Sequence, residues 1–156
     1  MRQITGFSGT RILALILAGA SEAAMLYVGL YQNRVVRHLW CPVFGRGCET
    51  VADATFAKPF GIPDGYIAAA LYAVILVLLL LGPNRRAWIW MTLTILVALA
   101  TVANALGVRD MAHLGSYCSY CILTTAASPL LLWATWHLRH QWSTNKFQSR
   151  QPAPPF

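Results

Sequence analysis

The sequence predicts an all-α membrane protein: a four-helix transmembrane bundle with a long extracytoplasmic loop between the first and second helices. Its composition is 57% hydrophobic and only 11% charged, whereas soluble proteins carry about 25% charged residues. Four apolar stretches stand out, and each is long enough to cross a hydrocarbon core, which takes roughly 17 to 25 residues. Helix is the expected form, because backbone polar groups in lipid must be satisfied within the segment.

The four helices are expected over residues 12–31, 64–82, 87–106 and 118–138. The second is placed just after Pro63, because proline suits the first turn of a helix. With the loop 32–63 between the first two, the helices form one domain over residues 1–140. The Pro-rich tail 141–156 is predicted to be disordered. The motif AGA at 18–20 resembles a signal-peptidase site, but the apolar run continues past it, which favours an uncleaved helix.

The positive charges predict the orientation of the bundle. Of the twelve Lys and Arg residues, seven lie in the N-terminus, the 83–86 turn and the C-terminal tail, and five lie in the two other connections. Because short loops rich in Lys and Arg stay on the cytoplasmic side, both termini are expected there, in a bacterium at the inner membrane. The net charge of +7 does not indicate a nucleic-acid partner, since no basic run with interleaved aromatic residues occurs.

This orientation places all four cysteines on the opposite, periplasmic face, where thiol–disulfide chemistry is normal. Cys41 and Cys48 enclose the segment CPVFGRGC, in which Gly45 and Gly47 permit a tight turn. The two sulfurs can therefore come within disulfide distance. Taken alone, this pair is most simply interpreted as a structural clip on a loop.

Cys118 and Cys121 form a C-x-x-C pair at the start of the fourth helix. At positions i and i+3 their sulfurs fall on nearly the same helix face. The unpaired amides and the dipole of a helix N-terminus stabilise a thiolate, which is the attacking species in disulfide exchange. A lipid-soluble electron acceptor can reach such a pair from within the bilayer. Zinc held by four thiolates is an alternative, but the C-x6-C spacing differs from the usual short knuckles, and no metal is expected.

With four spans, a cysteine pair after the first helix and C-x-x-C opening the fourth, the chain resembles the vitamin K epoxide reductase family over residues 26–138. The resemblance is carried by Tyr27, CPVFGRGC at 41–48, FGIP at 60–63, Tyr72 and CSYCI at 118–122. It implies a membrane thiol:quinone oxidoreductase that supports disulfide-bond formation, with ubiquinone or menaquinone as electron acceptor.

The resemblance also implies a role for each cysteine. Cys118 and Cys121 are the active centre facing the quinone, with Cys121 engaging the quinone ring. Cys41 and Cys48 are the shuttle pair, which the thiols of a periplasmic thioredoxin-like partner reduce, and Cys48 then exchanges with Cys118. Many bacterial members carry a fused thioredoxin-like domain; this sequence ends shortly after the fourth helix, so the partner is expected to be a separate protein.

Four further residues are candidate quinone contacts: Asp64, Tyr117, Tyr120 and Thr125. Asp64 stands where some family members place an Asn that hydrogen-bonds the quinone carbonyl, although it can equally cap the second helix. Family members often carry Ser or Thr about six residues after the second loop cysteine; here that position is Ala54, followed by Thr55.

Glu22 lies near the middle of the first helix, where an ionisable group is costly and indicates function. It is a candidate proton relay to the quinone. The alternative is that Glu22 faces the bundle interior and pairs with Asn104 or a hydroxyl group.

Two other functions remain compatible with these patterns. In the first, the protein is a non-enzymatic membrane assembly or maturation subunit, and its cysteines only staple loops together. In the second, it is a metal-binding membrane protein. Trapping of a mixed disulfide with a periplasmic protein separates the first from an enzyme, and metal analysis of reduced protein decides the second.

Overall fold

The computed structural model describes residues 9–81 and 87–148, within which all regular structure is helical. The helices are α1 (Gly9–Gln32), α2 (Gly47–Asp53), α3 (Asp64–Leu81), α4 (Ala87–Leu114) and α5 (Ser119–Gln148). Two short 3₁₀ helices, Thr55–Ala57 and Pro59–Gly61, lie between α2 and α3. Four of the helices, α1, α3, α4 and α5, are long and apolar enough to cross a bilayer. The predicted all-α fold with four membrane-spanning helices is therefore confirmed, and the chain is an integral membrane protein.

The helix α4 is longer than predicted. The apolar stretch suggested an end at residue 106, but the helix continues to Leu114 and stops before Gly115, whose φ of +67° is left-handed. A left-handed glycine is a common helix terminator. Hydropathy marks the part of a helix that lipid covers and not its last hydrogen-bonded turn. The connection to α5 is consequently short, covering only 115–118.

The helix α5 also continues past its predicted end at residue 138 and reaches Gln148. Residues 141–148, the first part of the predicted disordered tail, are thus helical. The physical reason is that no proline occurs between Pro129 and Pro152, so nothing breaks the helix at the membrane edge. Residues 1–8, the predicted turn at 83–86 and the tail 149–156 lie outside the described residues.

The helices α1 and α3 approach each other closely at Gly29 and Gly65. A Cβ on Gly65 would overlap the backbone of Gly29, and a Cβ on Gly29 would lie 2.8 Å from the ring of Tyr66. Small residues let membrane helices approach closely and pack by van der Waals contact. This contact holds the first turn of α3 against the last turns of α1, at the end of the bundle where the cysteines lie.

The opposite end of the bundle holds the start of α1 and the membrane-spanning end of α5. Arg11 of α1 donates hydrogen bonds to the carbonyl oxygens of Leu79 and Leu80 at the end of α3, at 3.0 and 3.1 Å. Leu138 of α5 lines the same small cavity as Arg11. The even number of spans therefore brings the beginning of α1 and the end of α5 together, far from the cysteines.

Candidate active site

All four cysteines come together at one end of the bundle. Cys41, Cys48 and Cys118 are buried in one apolar cluster, and Cys121 packs against it. Cys41 and Cys48 are joined by a disulfide, with their Cα atoms 5.7 Å apart. Cys118 and Cys121 are free thiols. The structure thus holds one disulfide beside one dithiol, which is the arrangement that thiol–disulfide exchange needs.

Two glycines of the loop position its disulfide, each for a different reason. Gly45 has a φ of +56°, a left-handed conformation that turns the chain between the cysteines. Gly47 begins α2 and lies against the backbone carbonyl oxygen of Tyr117, so closely that a Cβ would overlap it. Because Cys48 follows Gly47, this contact seats Cys48 beside the segment that leads into α5.

Both sulfurs of the disulfide contact Ser119, the residue that follows Cys118. The Ser119 backbone N–H donates to Cys48 Sγ at 3.3 Å. The Ser119 hydroxyl lies 3.3 Å from Cys41 Sγ, and it must be the donor because a disulfide sulfur carries no hydrogen. The Tyr120 hydroxyl adds a third link by donating to the carbonyl oxygen of Trp40 at 2.6 Å. The first turn of α5 therefore holds the loop disulfide in place.

Cys118 is the thiol best prepared to attack. A hydrogen bond from the Cys121 thiol lowers the pKa of Cys118, and the backbone N–H groups of Cys121 and Tyr120 act in the same direction. Burial and the carboxylate of Asp64 oppose this shift without cancelling it. The thiolate of Cys118 consequently forms more readily than that of an ordinary cysteine. It does so in the same apolar cluster as Cys48, one half of the Cys41–Cys48 disulfide.

A cavity of about 350 Å³ opens beside the cysteines, between α1, α3, α4 and α5. It falls within the range of small-molecule sites, about 300–1,000 Å³. Its lining is mostly apolar and includes Met25, Leu71 and Met111. Cys121 also lines it, so this thiol joins the buried disulfide cluster to the cavity.

One polar group of the cavity, Asp64, is held by a residue that the sequence analysis did not identify. Gln32, only 5% exposed, donates from Nε2 to Asp64 Oδ1 at 2.5 Å and to the carbonyl oxygen of Ala57 at 3.2 Å. Its Oε1 accepts the backbone N–H of Gly65 at 3.1 Å. One buried amide therefore ties the end of α1 to the loop and to the start of α3. Its only sequence signal is a polar residue at the end of an apolar helix.

A second polar group of the cavity is Asn104 on α4. Its Nδ2 donates to Tyr72 Oη at 2.9 Å and to Ser128 Oγ at 2.6 Å, and those two hydroxyl groups lie 3.0 Å apart. This network joins α3, α4 and α5 at the inner part of the cavity. One interpretation of the sequence paired Asn104 with Glu22. In the structure, Asn104 instead donates to the Tyr72 and Ser128 hydroxyl groups. Glu22 is half-buried and is not among the residues that line the cavity.

The family model described as the vitamin K epoxide reductase family matches residues 11–136. The chain belongs to this family. The match spans both cysteine pairs and covers most of the chain. A search of curated proteins finds no match. Membership of the vitamin K epoxide reductase family, with the four spans and the disulfide, indicates a membrane thiol–disulfide oxidoreductase.

The four residues predicted as quinone contacts of this family member fall in two places. Asp64 and Thr125 line the cavity, and the Thr125 hydroxyl donates to the Cys121 carbonyl oxygen at 2.6 Å. Tyr117 packs on Phe44, with ring centroids 5.8 Å apart, and Tyr120 packs on Tyr27, at 5.5 Å. Neither tyrosine is among the lining residues.

The hydroxyl residue that family members often carry after the second loop cysteine is not at the cavity in this chain. Thr55 is exposed at the start of a 3₁₀ helix. Its neighbour Phe56 lines the cavity instead. The lining at this position is therefore an aromatic ring.

A four-cysteine metal site is not formed in this structure. The disulfide leaves only Cys118 and Cys121 as thiols. Over the described ranges 9–81 and 87–148, no three His, Cys, Asp or Glu side chains are grouped as metal ligands.

Proposed function

We propose that the protein is a membrane thiol:quinone oxidoreductase that reoxidises a separate periplasmic thioredoxin-like protein and so supports disulfide-bond formation. The observation that carries this proposal is the continuity of the sulfur atoms: a loop disulfide is hydrogen-bonded to the first turn of α5, and Cys121 of that turn lines a membrane-embedded cavity. Such an arrangement gives electrons a path from a protein surface loop to a ligand in the bilayer.

The proposed cycle consists of thiol–disulfide exchanges in which every bond broken is matched by one formed. The two thiols of the partner reduce the Cys41–Cys48 disulfide and become a disulfide themselves. The Cys48 thiolate then attacks Cys118 of a Cys118–Cys121 disulfide, and Cys121 leaves as a thiolate. Cys41 attacks Cys48 in turn, and Cys118 leaves. The state with Cys41–Cys48 bonded and Cys118 and Cys121 reduced follows this internal transfer.

The final step of the cycle oxidises Cys118 and Cys121 to a disulfide again. A quinone in the cavity, ubiquinone or menaquinone, supplies the acceptor of the two electrons and two protons released. Asp64 and Thr125 are the polar residues proposed to orient it, since both line the cavity near Cys121. Asp64 is itself held in position by Gln32. The role of Glu22 as a proton relay remains a prediction; Glu22 lies on α1, which contributes Met25 to the cavity lining.

The proposed orientation puts the cysteine end in the periplasm and both termini in the cytoplasm, in a bacterial inner membrane. The structure's separation of the cysteine end from the Arg11 end is compatible with this direction, and the Lys and Arg count supports it.

Quinone reduction by the purified protein tests this proposal. The protein in lipid nanodiscs is given a reduced thioredoxin-like protein and a soluble ubiquinone analogue, and quinone absorbance is followed. We expect Cys118→Ala to abolish the reaction. We expect Cys41→Ala to abolish it with the protein donor but to retain it with dithiothreitol, because a small dithiol can reach the second pair directly. Quinone reduction that is unaffected by Cys118→Ala would overturn the proposal.

The second candidate, a non-enzymatic assembly subunit with structural disulfides, is favoured by one observation, the disulfide between two loop residues. Trapping separates it from the enzyme. In cells producing the Cys48→Ala variant, the enzyme would accumulate a mixed disulfide between Cys41 and its periplasmic partner, detected on a non-reducing gel. A protein whose disulfide is only a staple would yield none.

A further inference from the structure

The Ser119 hydroxyl lies beside Cys41, the sulfur that leaves when the loop disulfide opens. It lies 3.3 Å from Cys41 Sγ, while the backbone N–H of the same residue lies 3.3 Å from Cys48 Sγ. The backbone contact is available at any helix N-terminus, but the hydroxyl contact depends on this side chain. Ser119 is the first residue of α5, one position after the helix cap, so its hydroxyl is not needed to begin the helix.

Cys41 needs a hydrogen-bond donor at one point of the exchange. When the Cys118 thiolate attacks Cys48, the Cys48–Cys118 bond forms, the Cys41–Cys48 bond breaks, and Cys41 leaves with the electron pair as a thiolate. In the opposite direction that thiolate attacks Cys48 and releases Cys118. Cys41 is only 9% exposed, so water solvates the thiolate poorly. A buried charge without a hydrogen bond is costly.

We propose that Ser119 is a catalytic residue of the internal disulfide exchange, whose hydroxyl donates a hydrogen bond to the Cys41 thiolate while Cys48 is bonded to Cys118. The hydroxyl transfers no proton; it stabilises the charge that appears on Cys41 when the disulfide opens. The Ser119 N–H holds Cys48 in place during the same step. This inference rests on the proposed function in one respect only: the exchange between the two cysteine pairs is taken to be a step of electron transfer.

A three-cysteine protein isolates this step. In the Cys121→Ala variant, the remaining sulfurs distribute between a Cys41–Cys48 form with free Cys118 and a Cys48–Cys118 form with free Cys41. Iodoacetamide alkylates the free thiolate, and peptide mass spectrometry shows which cysteine was modified. The rate of Cys41 alkylation as a function of pH gives a midpoint for Cys41 without quinone or partner protein.

We expect Ser119→Ala in this background to raise the midpoint of Cys41 alkylation by about one pH unit, a tenfold loss of thiolate at a given pH. Ser119→Thr keeps a hydroxyl and should restore the parent midpoint. Ser116→Ala is the control, because neither contact to the loop sulfurs involves Ser116. The other titratable side chains of the apolar cluster that holds these sulfurs are Tyr27 and Tyr31 of α1 and Tyr120 of α5. Asp64 of α3 acts on Cys118, and the pair of His38 with Glu49 of α2 reaches the cluster through the backbone of Leu39. All are unchanged across the series, so differences between variants report Ser119.

An unchanged midpoint in Ser119→Ala would overturn the inference. A lower melting temperature with the same midpoint would show a structural role only and would overturn it as well. The result is separable from the proposed function: if the wild-type protein fails to reduce quinone while the midpoint still moves, the proposed function is wrong and the role of Ser119 in exchange stands.

Discussion

The two cysteine pairs are positioned by different means. Cys118 and Cys121 lie at the start of a long helix that is bonded to its neighbours in the membrane through the Asn104 network. Cys41 and Cys48 lie in a loop, and their position depends on contacts with other segments: Gly47 against Tyr117, and Ser119 and Tyr120 against the loop. The helix pair is positioned by its own helix, whereas the loop pair is positioned by a few hydrogen bonds and close contacts between separate segments. The proposed transfer of electrons from a partner through the loop pair to α5 needs such a difference.

The contact between Gly47 and Tyr117 is the most direct place to break this comparison. In Gly47→Ala the new Cβ would overlap the Tyr117 carbonyl oxygen, so the loop must move away from α5. We expect electron transfer from the protein donor to fall roughly 10- to 100-fold, since a shift of about 1 Å has effects of that size on reacting groups. Dithiothreitol-driven quinone reduction should be little changed.

Gly19→Ala is the matched control for this substitution, because a Cβ at Gly19 meets no atom within 4 Å and Gly19 does not line the cavity. It should leave both rates as in the wild-type protein. Equal loss of the dithiothreitol-driven and protein-driven rates in Gly47→Ala would mean that the two pairs are not positioned independently.

Substitution of Gln32 tests whether one buried amide holds both the loop and the cavity residue Asp64 in place. Gln32→Ala leaves the Ala57 carbonyl oxygen, the Gly65 N–H and Asp64 without this partner. Because buried polar groups that lose their partners are costly, we expect the free energy of unfolding to fall by about 2–4 kcal/mol. Thermal unfolding in detergent measures this loss. Asn33→Ala, at the exposed neighbouring position, is the control; a similar loss in both variants would contradict the role of the buried amide.

The pH dependence of Cys118 alkylation tests the helix pair by itself, because it reports how Cys121 acts on Cys118. In a protein without the loop cysteines, Cys118 should react with iodoacetamide at lower pH than an ordinary cysteine, because the Cys121 thiol lowers its pKa. Cys121→Ala removes that donor, so the pKa of Cys118 should rise and the midpoint of alkylation should move to higher pH. Cys121→Ser, which keeps a donor, should move it less. A midpoint that is the same with Cys and Ala at position 121 would rule out this cause.

The smallest expected effect concerns Tyr120. Tyr120→Phe removes the hydrogen bond to the Trp40 carbonyl oxygen but keeps the ring against Tyr27. One hydrogen bond is worth about 1 kcal/mol, so transfer from the protein donor should slow about fivefold at most. Stopped-flow measurement of loop reoxidation gives this rate. Thr125→Val, on the same helix at the cavity, should slow quinone reduction instead. Slower loop reoxidation in that variant would contradict the view that the loop and the cavity serve separate steps.

The fold was predictable because its signal is local. A bilayer requires long apolar helices whatever their neighbours, so composition and length identified four spans. The same measure failed at the helix ends: α4 runs to Leu114 and α5 to Gln148, because hydrogen bonding continues where lipid contact stops. Gly115, with its left-handed backbone, terminates α4 after Leu114, and hydropathy carries no information about that backbone conformation.

The candidate site was predictable only in part. The four cysteines were identified from their spacing and from the resemblance to a family. Of the predicted quinone contacts, Asp64 and Thr125 line the cavity, whereas Tyr117 and Tyr120 pack against the loop and α1. Tyr120 precedes Cys121 in the sequence, yet its ring points to another element. Position beside a motif does not fix the direction of a side chain.

By itself, the sequence determined that this chain spans a membrane four times and carries two cysteine pairs at spacings suited to exchange. Only the tertiary structure decided that Ser119 contacts both loop sulfurs and that Gln32 supports Asp64. Those contacts join residues separated by 71, 78 and 32 positions. They exist because backbones approach closely at Gly29 with Gly65 and at Gly47 with Tyr117. Hydropathy and spacing act along the chain, whereas such contacts depend on how separate segments pack.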